Sequence, residues 1–81
     1  MMKNPNFEFD KTNLILEVEN CIRLNPGEKS LNSLLKILKK MTFDNLNGGL
    51  SYFIVDSFSG TYEIGEKAIL FEKKYMNQNQ E

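Results

Sequence analysis

The chain has 81 residues, a hydrophobic fraction of 41%, no histidine, one cysteine and a formal net charge of −1. Length points to a single small domain spanning 1–81, with an ordered core of about 7–75 between polar, frayed ends, and to a core that is correspondingly thin. A lone Cys21 excludes an intramolecular disulfide scaffold, and near-neutrality argues against a global attraction to nucleic acid or membrane.

The first element, Leu14–Leu24, carries two readings. As a helix it gathers Leu14, Ile15, Val18, Cys21 and Ile22 on one side, with Glu19 four residues before Arg23 and Asp10 or Thr12 as N-cap. As a strand it alternates Leu14, Leu16, Val18, Ile22 and Leu24 with Glu17, Glu19 and Arg23. Eleven residues make a long strand for so small a domain and an ordinary helix, so the helix is the expectation. Cys21 then reads as a small buried hydrophobe.

Asn25-Pro26-Gly27-Glu28 punctuates the chain and offers Asn25 as the next N-cap, in competition with Ser30. Ser30–Met41 follows with a pronounced helical pattern. Leu31, Leu34, Leu35, Leu38 and Met41 recur every three or four residues, while Lys29, Lys36 and Lys40 line the opposite side with Lys39 at its margin. From Glu28 to Phe43 lysines outnumber acids by three, whereas Asp44–Ile64 holds Asp44, Asp56 and Glu63 and no base.

Beyond the Asn45–Gly49 loop the residue types favour strands. Leu50–Val55 is rich in β-branched and aromatic residues, Thr61–Ile64 alternates, and Gly65-Glu66 fits a tight hairpin leading to a third strand over Lys67–Tyr75. A helix over Glu66–Met76 is the alternative for the last segment, because Ala68, Phe71 and Tyr75 share a face. The expected fold is therefore α+β, two N-terminal helices packed on a three-stranded antiparallel β-meander, or β-α-β-β-β if the first element is a strand. The sheet's outer face, bearing Phe53 and Val55 or their alternates, is left as a partner contact.

The chemical inventory is sparse. Without histidine the chain lacks the commonest general base and metal ligand, and one cysteine adds no zinc site. Glu8 with Asp10, and Glu17 with Glu19, lie at spacings that do not bring carboxylates together on one helix face. Gly27–Ser30 lacks the remaining glycine and adjacent Gly-Lys of a phosphate loop, Leu46 occupies a ligand position in what would be a calcium loop, and Asp56–Gly60 is no nucleophile elbow. No cofactor is implied, and catalysis is not expected.

The reading is a small cytosolic, non-enzymatic module for protein–protein interaction, as a regulator, inhibitor, assembly subunit or homodimer. No signal peptide or membrane-spanning run is visible in the sequence. Its candidate partner-binding residues are Lys29, Lys36, Lys39, Lys40, Tyr52, Phe53, Val55 and Tyr62. The alternative is a nucleic-acid-binding module using the lysine face around 29–41, with aromatic rings as stacking surfaces.

Overall fold

The computed structural model describes residues 5–58 and 63–79, and among these every regular element is helical. Helix α1 runs Pro5–Leu24, α2 Lys29–Lys40, α3 Gly49–Ser57 and α4 Glu63–Asn79, with a 3₁₀ turn at Phe43–Asn45 between α2 and α3. The expected β-meander is absent, and so are both α+β arrangements. Leu50–Val55 lies in α3 and Lys67–Tyr75 in α4, while Glu63 and Ile64 open α4. Thr61 and Tyr62 fall outside the described residues.

Helix α1 includes the expected helical Leu14–Leu24 and starts nine residues earlier, at Pro5, whose fixed φ suits a first helical position. Asp10 and Thr12 are thus interior residues and not caps. Phe7, Leu14 and Val18 are its buried stripe. The helix ends at Leu24, where Cys21 C=O accepts hydrogen bonds from both the backbone N–H and the side-chain amide of Asn25, each at 2.9 Å. Asn25 therefore closes α1 and does not cap α2. Gly27, at φ +93°, completes the turn.

Helix α2 buries Leu31, Leu34 and Leu38 and delivers Met41 to the core, with Leu35 only half-buried at the edge. Its C-terminal end is capped from another helix. Lys11 Nζ of α1 donates to Met41 C=O at 2.7 Å and Lys39 C=O at 3.3 Å, setting a cation at the negative end of the α2 dipole.

Helix α3 is short, and its entry requires glycine. Gly48 takes φ +83°, and Asn47 Oδ1 accepts the Gly49 N–H at 2.9 Å. Leu50, Ile54 and Phe58 then recur every four residues and are buried, which is a helical stripe once Phe58 is included. On α4 the buried set is Ile64, Gly65, Ala68, Phe71, Glu72 and Tyr75. Gly65 belongs to this packing and not to a hairpin.

Each helix packs on its chain neighbour, and α4 closes the ring on α1. Cross-helix contacts fix the directions. Glu17 meets Lys67 and Asp10 meets Lys74, Ser51 meets Glu72 while Gly65 lies against Phe58, and Lys11 reaches the end of α2. The helices thus alternate up and down. At one end of the core Phe7, Phe43, Phe71 and Tyr75 form an aromatic cluster, with centroid separations of 5.2 Å for Phe7–Phe71 and 5.3 Å for Phe7–Tyr75.

Candidate interaction surface

Helix periodicity turns the α2 lysines outward, because the leucine stripe occupies the inner side. Lys29, Lys36, Lys39 and Lys40 are all exposed. Lys29, Lys36 and Lys40 follow one line, spanning eleven residues or about 16 Å of helix. Among the described residues none of the four ammonium groups pairs with a carboxylate; the ion pairs there are Lys67–Glu17 at 2.7 Å and Lys74–Asp10 at 3.5 Å. The basic face is preserved as the sequence placed it.

The aromatic half of the candidate site fares differently. Tyr52 and Val55 remain on the surface, at 78% and 67% exposure, but on the outer side of α3 and not on a sheet. Phe53 is half-buried and turns toward the core, its ring 5.9 Å from that of Phe58. Tyr62 lies outside the described residues. The expected row of stacking rings on a sheet face is thereby replaced by two outward side chains one turn apart.

A second surface has no counterpart in the expectations. Between α1 and α4 runs a shallow groove in two adjoining parts, of about 320 and 280 Å³, which share Glu17 and Lys67. Leu16 and Leu70 stand exposed on its banks, and Cys21 lines it half-buried, so the cysteine is less enclosed than expected. The Lys67–Glu17 bridge spans the groove, and hydrogen bonding to Glu17 raises the Lys67 pKa above its ordinary value. Reading Lys67–Tyr75 as a helix would have revealed it, since Lys67, Leu70 and Lys74 then share an outward line.

Two carboxylates do structural work at the core boundary. Asp10 accepts a hydrogen bond from the Tyr75 hydroxyl, and burial with that bond to the Asp10 carboxylate pushes the phenol pKa up to about 12. Glu72, only 1% exposed, accepts from the Leu50 and Ser51 N–H groups and the Ser51 hydroxyl at the start of α3. With Asp10 and Glu17 engaged, Glu8 and Glu19 remain as the exposed acids of α1 that have no partner among the described residues. Among the described residues no three Cys, Asp or Glu side chains converge as metal ligands, and no helix is long and apolar enough to cross a membrane.

No protein-family model matches the chain, and no curated protein and no solved structure matches it.

Proposed function

We propose that this chain is a small cytosolic interaction module, acting by surface binding without catalysis, and that the basic face of α2 takes an acidic protein surface. The observation that supports this is the line of Lys29, Lys36 and Lys40, with Lys39 beside it, held on a rigid helix with no internal counter-charge among the described residues. Such a face favours a partner with carboxylates spread over about three helical turns, and steers its approach. A protein partner is favoured over nucleic acid because the chain has a net charge of −1 and Arg23 as its single arginine. The lone cysteine fits a reducing compartment.

The test is titration of a fluorescent polyglutamate peptide, and separately of duplex DNA, against the wild type and a Lys36→Ala, Lys40→Ala double variant. The expected result is polyglutamate binding that weakens with salt and in the double variant. No polyglutamate binding overturns the reading. Tighter lysine-dependent binding to DNA at the same salt transfers the face to nucleic acid.

A further inference from the structure

With four lysines on α2 and a net charge of −1, the remainder of the chain sums to −5. The molecule therefore carries its own complement to the basic face. On α1, Glu8 and Glu19 are exposed and have no ion-pair partner among the described residues, and they lie eleven residues apart on one line, the same interval that separates Lys29 from Lys40 on α2. Both spans are about 16 Å on an α-helix. Phe9 and Leu16, at 68% and 59% exposure, stand beside the acidic line on the outer side of α1.

We propose that a second copy of this chain is an occupant of the α2 face, in a two-fold dimer with α2 of each copy lying along α1 of the other. The proposal rests on the reading that the α2 face binds acidic protein surfaces. The monomer supplies the required register. Lys11 reaches the C-terminal end of α2, so Glu8 and Lys40 belong to one end of the bundle, while the Asn25–Glu28 turn places Lys29 at the end where α1 finishes, beyond Glu19.

A two-fold axis parallel to these helices keeps the ends together and sets α1 of one copy antiparallel to α2 of the other. Glu8 then comes to the Lys40 end of the facing helix and Glu19 toward its Lys29 end, within the reach of the long lysine side chains, twice over, with Lys36 between them. The lysine stems cover Leu16 and Phe9 while their ammonium groups meet the carboxylates. Because the same patch serves both copies, the assembly closes as a dimer and does not propagate. Exposed ion pairs contribute modestly, so the association is expected to be weak and salt-sensitive.

Sedimentation equilibrium of three purified chains tests it: the wild type, Lys29→Glu with Lys40→Glu, and Glu8→Lys with Glu19→Lys. The substituted sites are exposed helix positions, and circular dichroism melts confirm that each variant folds. The wild type should dimerise at low salt and dissociate as salt rises. Each reversed variant alone should dimerise roughly tenfold or more weakly. Mixing the two reversed variants should restore association, because both cross-helix pairings become complementary again.

A wild type that stays monomeric at high-micromolar concentration overturns the dimer, as does a dimer indifferent to both reversals or a mixture that fails to associate. Polyglutamate titration separates the two readings. A monomeric wild type that still binds polyglutamate through Lys36 and Lys40 leaves the basic-face function standing, whereas one that ignores it loses both.

Discussion

Glu72 and Ser51 hold the two C-terminal helices together. One carboxylate oxygen of Glu72 accepts both the Ser51 N–H at 2.8 Å and the Ser51 hydroxyl at 2.7 Å, and the other accepts the Leu50 N–H at 3.3 Å. A side chain of α4 thus satisfies the free N–H groups of the first turn of α3 and places negative charge at its positive end. The residue is buried, yet its charge is met by three donors, which is the condition under which a buried carboxylate is tolerated.

Replacing Glu72 by alanine should destabilise the fold by about 2–4 kcal/mol, because charge-assisted hydrogen bonds are lost and the buried N–H groups of α3 are left without an acceptor. Ser51→Ala removes only the hydroxyl contact and should cost about 1 kcal/mol. Urea unfolding of both variants measures the difference. Equal losses would mean that the backbone contacts contribute nothing beyond the hydroxyl.

This cap also explains which parts of the fold were legible in the sequence. Helix α2 could be read because its leucines and lysines occupy opposite sides over three turns, and α1 because Val18, Cys21 and Ile22 recur at helical spacing. Leu50–Val55 could not, since a six-residue, largely apolar run with Tyr52, Phe53 and Val55 satisfies a strand equally well. The deciding residue, Phe58, lies beyond it. Gly48-Gly49 looked like a loop although Gly48 is the N-cap of a helix. On α4, Glu72 interrupts the apolar stripe, and its acceptor role depends on residues 21 and 22 positions away. The lysine face was legible because charge needs no tertiary partner to remain exposed; the α1–α4 groove exists only once two distant helices meet.

The buried Tyr75 phenol predicts an alkaline limb to the stability curve. Its folded pKa is raised to about 12, from an ordinary 10.0, mainly by burial and then by its bond to Asp10. A raised folded pKa means that the native state holds the proton longer than the unfolded chain. The contribution is whole below pH 10 and is lost as pH rises from there toward 12. Tyr75→Phe keeps the ring and removes the titration, so the difference between wild-type and variant stability should shrink over that window. Denaturant unfolding at a series of pH values checks it, and a constant difference would show that Tyr75 does not titrate on unfolding.

Truncations along α2 test its orientation. Leu38 is fully buried, and Leu38→Ala should cost about 2–5 kcal/mol through lost burial and a residual cavity. Leu35 is half-buried at the core edge, so Leu35→Ala should cost less, and exposed Lys36→Ala no more than about 0.5 kcal/mol. Thermal melts of the three should rank in that order. A Lys36 loss matching that of Leu38 would rotate the helix and bury the proposed binding face.

Gly65 of α4 packs directly against Ile54 and Phe58, so the two opposing effects of Gly65→Ala can be weighed. An added Cβ would lie 3.0 Å from Ile54 Cγ2 and 3.1 Å from Phe58 Cδ2. Alanine is favoured over glycine by about 1 kcal/mol in a helix interior, and Gly65, the third residue of α4, gains at most that much. Forcing a methyl group into a packed contact costs about 1–3 kcal/mol. Ile54 and Phe58 are both buried, and Phe58 is further held by its contact with Phe53, so they have little room to withdraw. The packing loss should therefore outweigh the helix gain, leaving a net destabilisation of about 1 kcal/mol. Hydrogen exchange should localise that loss to α3 and the first turns of α4. A stabilised Gly65→Ala would instead show that α3 can shift outward at no cost, and that its docking is looser than the close contacts at Gly65 imply.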